Sequence, residues 1–270
     1  MTRVCYIYFS PTGGTKLIAG NIAKAMALEL NLPMESFDLT VPEAREKTYS
    51  FSADDLVLIA SPTYAGRVPN KMLPEFERLV QGAGQTPAII VSVYGGRSND
   101  EGLRELLTVC EKNGFNAIAA ASCVVRHSMS RILAANRPND ADMAELDAFG
   151  RKAARKALEN PAAVAMDRDT PIAPYYKPLK EDLSPAVFLK AKPLTHADKC
   201  IKCALCAASC PMGSISYEDY ATVTGVCIKC HACVRNCPSG AKYFDNEELL
   251  SHIRMLEANY KGEQEYKFYI

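Results

Sequence analysis

The chain has 270 residues, 48% of them hydrophobic and 23% charged. That fits about two globular domains at ~150 residues each and excludes a disordered, collagenous or low-complexity chain. Lys and Arg balance Asp and Glu at 31 each, so the basic excess expected of a nucleic-acid binder is missing.

Residues 1–125 alternate strand-like and helix-like patterns. Strands are expected at Arg3–Phe9, Met34–Asp38, Asp55–Ala60, Ala88–Val93 and Asn116–Cys123. They are short and apolar almost throughout, as in strands buried on both faces of a parallel sheet. Helices are expected at Thr15–Leu30, Leu73–Val80, Ser98–Lys112 and Asp140–Glu159. In the first, Leu17, Ile18, Ile22, Ala25, Met26 and Leu30 form one stripe at helical spacing. Asn113-Gly114 and Asn160-Pro161 are stop signals. Five buried strands separated by helices specify an α/β doubly wound domain over 1–160 with a five-stranded parallel sheet. Right-handed crossovers then gather the loops after the first, third and fourth strands at one sheet edge. Cys5, Cys110 and Cys123 fall in these patterns and read as core thiols.

The first of those loops is Ser10-Pro11-Thr12-Gly13-Gly14-Thr15. It has neither the order of a nucleotide P-loop nor that of a dinucleotide loop. It does set three hydroxyls and two glycines at a helix start, where free N–H groups and the helix dipole favour a phosphate. A plain helix cap is the competing reading, but it needs only one hydroxyl. The longest apolar stretch, Ala117–Val125, is too short for a bilayer span, which takes ~20 residues. The apolar run Val4–Phe9 has no cleavage site after it, so a cytoplasmic protein without a signal peptide is expected.

Residues 161–195 carry prolines at 161, 171, 174, 178, 185 and 193. They read as an extended connector, docked because Tyr175, Tyr176, Val187, Phe188 and Leu189 are apolar for a free linker. Residues 196–245 repeat themselves. Cys-Ile-Lys-Cys-Ala-Leu-Cys-Ala-Ala-Ser-Cys-Pro at 200–211 returns as Cys-Ile-Lys-Cys-His-Ala-Cys-Val-Arg-Asn-Cys-Pro at 227–238. Eight of the 11 cysteines lie here. Four-thiolate zinc sites and disulfides are the competing uses of such thiols. Two uninterrupted triplets, each followed by Cys-Pro, match the iron–sulfur spacing instead. A closing helix is expected at Asn246–Asn259 within a 246–270 tail, and the last ten residues give no pattern.

The 196–245 segment resembles bacterial-type two-cluster ferredoxins at all eight ligand positions. The resemblance implies a small α+β domain with two 4Fe–4S clusters. The fourth Cys of each repeat would serve the other cluster, so one is held by Cys200, Cys203, Cys206 and Cys237 and the other by Cys227, Cys230, Cys233 and Cys210. His231, inside the second ligand loop, would modulate its cluster. Ser10, Thr12, Gly13 and Thr15 resemble the FMN-phosphate loop of flavodoxins, with Gly14 inside it. That resemblance covers about 1–155 and implies two further flavin loops, Pro62, Thr63, Tyr64, Ala65 and Gly66, then Tyr94, Gly95, Gly96 and Arg97. Tyr64 and Tyr94 are candidates to pack on the ring, Arg67 and Arg97 to balance an anionic flavin, and Arg126-His127-Ser128 to lie nearby. Both halves lack the acidity of free flavodoxins and ferredoxins: 1–160 has 18 basic and 18 acidic residues, and 196–245 has five and four. The whole resembles flavodoxin/ferredoxin fusions of anaerobes. An electron-transfer protein is expected, with a redox protein or small molecule as donor and acceptor. The alternative is a flavin-dependent reductase of a quinone, nitro or enone compound fed through the clusters; no catalytic residue stands out.

Overall fold

The computed structural model describes every residue except Glu263. In chain order the elements are β1 (Arg3–Tyr8), α1 (Gly14–Leu30), β2 (Met34–Asp38), β3 (Tyr49–Phe51), β4 (Asp55–Pro62), α2 (Leu73–Leu79), β5 (Val80–Gly82), β6 (Thr86–Tyr94), α3 (Gly102–Lys112), β7 (Phe115–Val124) and α4 (Asp140–Glu159). After a long connector come β8 (Leu194–Thr195), α5 (Leu205–Ala208), α6 (Ala232–Arg235), β9 (Lys242–Tyr243), α7 (Glu247–Asn259) and β10 (Lys267–Tyr269).

The main sheet is parallel in the order β2-β1-β4-β6-β7, the strand order of flavodoxin-like sheets. A sixth strand, β10, adds antiparallel to the outer edge, with Lys267 opposite Ser122 and Tyr269 opposite Ala120. At three residues, with a lysine among them, it is too short to show alternation. The brief pair β3–β5 is likewise silent in the sequence.

Alternation along the strands explains the two cores. Val4, Leu56 and Leu58 face one way and pack under α1 and α4 with Ile18, Ile22 and Phe149. Ile7, Val57 and Ile59 face the other way, under α2 and α3 with Phe76 and Leu106. Where α4 crosses α1, a Cβ on Gly150 would stand 2.7 Å from the Ile22 carbonyl, so only glycine permits the approach. The α4 start is fixed by a capping box: Asn139 accepts from the Asp142 N–H, and Asp142 accepts from the Asn139 N–H. Helix α3 starts at Gly102, later than Ser98, because Asp100 takes φ +41° and the preceding turn is held by side chains.

The C-terminal segment is built twice. Lys202 and Lys229 have φ +56° and +54°, Ala204 and His231 +62° and +61°, and Gly213 and Gly240 +57° and +64°. Each pair is 27 residues apart, so the sequence repeat is a backbone repeat. Strands β8 and β9 pair antiparallel and close it.

The connector lies on the sheet domain. The Val164 N–H donates to the Ala117 carbonyl (2.8 Å), the Tyr176 N–H to Ala65 (2.8 Å) and the Tyr175 hydroxyl to Val68 (2.9 Å). The repeat segment is tied down by Arg235 of α6, which donates to the carbonyls of His127 (2.7 Å), Ser128 (2.9 Å) and Ser130. Arg45 donates to the Pro211 carbonyl, and Ser130 bonds Glu257 of α7.

Candidate functional site

Three loops at the carboxyl ends of β1, β4 and β6 converge on one cleft of about 230 Å³. The first turns into α1 through Gly13, whose φ of +85° is left-handed and suits glycine. The Ser10 Oγ accepts from the Lys16 N–H (2.9 Å), so it serves as the helix start's own cap. The Thr12, Gly14 and Thr15 amides have no hydrogen-bond partner among the described residues. At the positive end of a 17-residue helix, that is a seat for an anion.

The second loop is a tight turn in which the Tyr64 N–H donates to the Arg67 carbonyl (2.8 Å) and the Arg67 N–H returns the bond (3.1 Å). Thr63 anchors it, sharing a hydroxyl hydrogen bond with Ser92 (2.7 Å) and donating to Asn99 (2.8 Å). In the third loop a Cβ on Gly95 would stand 2.9 Å from the His127 Cα, so the 126–130 segment packs directly on its backbone.

Of the residues singled out in the sequence, Ser10, Thr12, Gly14, Thr15, Pro62, Thr63, Tyr64, Ala65, Gly66, Tyr94, Gly95 and Arg97 line this cleft. Gly13 and Gly96 stand behind it. Gly96 packs on Leu133 and Ala134. Arg67 is committed elsewhere: it pairs with Glu105, and its guanidinium lies 4.4 Å from the Tyr175 ring. Arg97 does line the cleft, paired with Asp100 and 4.1 Å over Tyr176.

The roof comes from distant chain. Tyr176, Pro178 and Phe188 of the connector, His252 and Leu256 of α7, and Ile228 and Lys229 of the second cysteine repeat all line the cleft. The apolar residues of the Pro-rich connector were the only hint of this; nothing local in α7 marks it. Two roof histidines have defined tautomers. The His127 Nδ1 accepts from the Met129 and Ser130 N–H groups (3.2 Å each), which leaves the proton on Nε2. The His252 Nδ1 donates to the Leu179 carbonyl (2.8 Å), which leaves the Nε2 lone pair free. Burial, with neighbouring cations adding, pushes His127 down to about 3. Burial also lowers His252, although its hydrogen bond to Leu179 opposes this. Both imidazoles are therefore neutral near pH 7. The Tyr64 phenol is pushed well up, first by burial and then by Cys230 and Cys227 close by.

The eight cysteines are free and bound two small cavities in the crossed sets. Cys210, Cys227, Cys230 and Cys233 ring one; Cys200, Cys203, Cys206 and Cys237 ring the other. Among the described residues no three Cys, His, Asp or Glu side chains are grouped to hold a single metal ion. The left-handed residues at 202, 204, 229 and 231 curl the ligand loops into nests of N–H groups, a shape suited to an anionic cluster. The Ser214 N–H points at the Cys210 sulfur (3.3 Å) and the Ala241 N–H at the Cys237 sulfur (3.2 Å), the same bond in both repeats. The His231 Nε2 is buried beside the first cavity without a protein partner. The ring stacks on Phe244 at 4.5 Å, so it is fixed in place with one polar atom unspent. Cysteine donors, converging N–H groups and this orphan nitrogen all fit a sulfide-bearing cluster.

Residues 192–238 match the family model described as a 4Fe-4S dicluster domain. The chain is similar in structure to a flavodoxin from the domain Archaea (16% identity, TM-score 0.37, covering 58% of this chain and all of that one). It is also similar to Flavodoxin 1 of Bacillus cereus (16%, 0.40, 57% and 98%) and to the flavodoxin of Streptococcus pneumonia TIGR4 (18%, 0.39, 57% and 99%). No curated protein matches it. The strand order β2-β1-β4-β6-β7 gives the first domain a flavodoxin-like topology, and the segment that follows the connector carries the match to the dicluster model. No helix among the described residues is long and apolar enough to cross a membrane.

Proposed function

We propose that the chain is an electron-transfer protein that holds FMN in the loop cleft and two 4Fe–4S clusters in the cysteine-ringed cavities. One observation carries this reading: Ile228, between two ligand cysteines, lines both the cleft and the cavity of the Cys210/Cys227/Cys230/Cys233 set. FMN exchanges one or two electrons and each cluster one, with potentials set by burial and hydrogen bonds.

In this reading the Thr12, Gly14 and Thr15 amides and the Thr12 and Thr15 hydroxyls hold the phosphate. The 62–66 and 94–97 loops hold the ring. Tyr64 is half-buried in the cleft, with Cys227 and Cys230 close by, and stands at the boundary between the proposed flavin and cluster sites. The connector and α7 cover one side of the cleft.

Purification without oxygen tests the proposal. About eight Fe, eight sulfide and one FMN per chain are expected. Zinc in place of iron, or iron without flavin, overturns it. A second reading, reduction of a small organic acceptor at the flavin, draws on His127, whose neutral Nε2–H is a hydrogen-bond donor at the cleft for an acceptor's oxygen. Turnover of quinone, nitro or enone compounds that falls in His127→Asn would favour it.

A further inference from the structure

The internal repeat has two equivalent faces, and the molecule uses only one. At the second repeat, Ile228 and Lys229 are half-buried, Cys230 is 8% exposed and Ala232 is fully buried. This face is pressed on the flavodoxin-like domain: Ile228 packs against its core, and Lys229 donates to the Leu189 carbonyl of the connector. Twenty-seven residues earlier stand Ile201, Lys202, Cys203 and Leu205. They adopt the same backbone, yet Ile201 is 65% and Leu205 47% exposed, and Lys202 and Cys203 are exposed too. A ligand cysteine at the surface, flanked by the exposed Ile201 and Leu205, is where an electron leaves or enters over the shortest path. The loop around it carries Lys199 and Lys202 against Asp198, a net charge of +1.

We propose that the Ile201–Leu205 face is the electron port of the molecule, built to dock a small acidic redox protein that presents its cofactor at an apolar, carboxylate-rimmed edge. The internal interface supplies the pattern: an Ile-Lys-Cys surface seated on a flavin-type domain. The first repeat presents that surface again, exposed. Lysines beside an apolar centre select a partner of opposite charge and speed its approach, while the isoleucine and leucine supply the contact area. The inference rests on the two-cluster reading above and extends it. The Cys200/Cys203/Cys206/Cys237 set faces outward, and the Cys210/Cys227/Cys230/Cys233 set faces the flavin cleft.

The test uses the full chain with its cofactors and a fluorescently labelled small acidic flavodoxin as probe, with binding followed by anisotropy. Binding to the native chain that weakens as salt rises is expected, with at least tenfold weaker affinity in Ile201→Glu and in Lys199→Glu. Native-like affinity in both variants, or no binding to the native chain, overturns the port. Iron is measured in every sample. A variant that loses iron is replaced in the comparison by Leu205→Glu, on the same face but outside the cysteine positions. A native chain without iron overturns the parent reading instead, so the two failures are distinguishable.

Discussion

His127 shows how one residue ties the site to stability. Its Nδ1 takes two backbone N–H groups, its Cα packs on Gly95, and Arg235 donates to its carbonyl. The ring neighbours Arg97, Arg235, His231 and His252, and burial first, then the positive charge those groups carry or would carry, holds its pKa at about 3 against an ordinary 6.5. The unfolded chain therefore binds a proton that the folded chain refuses between those values. Stability is fully present above pH 6.5 and is lost as pH falls toward 3. One proton is worth about 1.4 kcal/mol per pH unit. In His127→Asn the side-chain oxygen can accept the same two N–H bonds but does not titrate. The variant's unfolding free energy should therefore fall less steeply from pH 6.5 to 4.5, by up to that slope, when denaturant melts of the two proteins are compared. Parallel curves would remove His127 from the acid response.

At the level of elements, β1, β4, β6 and β7 were legible because they are apolar and buried on both faces, whereas the edge strand β2 is mostly exposed and carries Glu35, Ser36 and Asp38. The observed β4, β6 and β7 extend the expected segments by only one or two residues at an end. Helix α4 has the expected bounds Asp140–Glu159, with Asn160-Pro161 as its local stop signal. The Asn139 cap contributes about 1 kcal/mol, so Asn139→Ala should lower thermal stability by a few degrees. Flavin and iron content should stay unchanged, because the cap lies away from the cleft. A loss of flavin in that variant would mean that α4 also sets the loop geometry. What the sequence hid was long-range. Strand β10 exists because Phe268 stacks on Phe149 at 4.8 Å and because β7 has a free edge, neither of which a three-residue window contains. Ser10 also caps the helix start, because its Oγ accepts from the Lys16 N–H, and its own O–H stays available as a donor at the cleft it lines. Helix α7 showed its apolar stripe, but His252 and Leu256 become cleft residues only through the docking of distant chain. The cysteine sets were the reverse case. Their crossed grouping was implied by the resemblance to two-cluster ferredoxins, and the same two sets of four cysteines line the two cavities.

At the scale of the whole molecule, the redox unit proposed above rests on a contact between the two halves that is made by buried and directional groups. Arg235 gives hydrogen bonds to three carbonyls of one loop, Ile228 is packed in the core contact, and the connector closes the flank with Tyr175 and Tyr176. Neither half carries a strong charge, so no long-range field draws them together, and a covalent link makes such a field unnecessary. The consequence is a salt rule with two parts. Transfer between flavin and clusters inside the chain should be independent of protein concentration and nearly flat from 0.05 to 0.5 M salt, since screening acts on exposed charges beyond roughly 10 Å and spares buried contacts. Arg235→Ala should slow this internal step, because the 127–130 loop loses all three bonds and the ligand helix between Cys233 and Cys237 loses its anchor. Arg235→Lys should recover only part of the rate, because one ammonium cannot span three carbonyls in the fork geometry of a guanidinium. Stopped-flow reduction of the holoprotein at several concentrations and salts measures both. An internal rate that falls steeply with salt, or that doubles with protein concentration, would mean that the flavin of one chain meets the clusters of another, and that the buried contact is not the route.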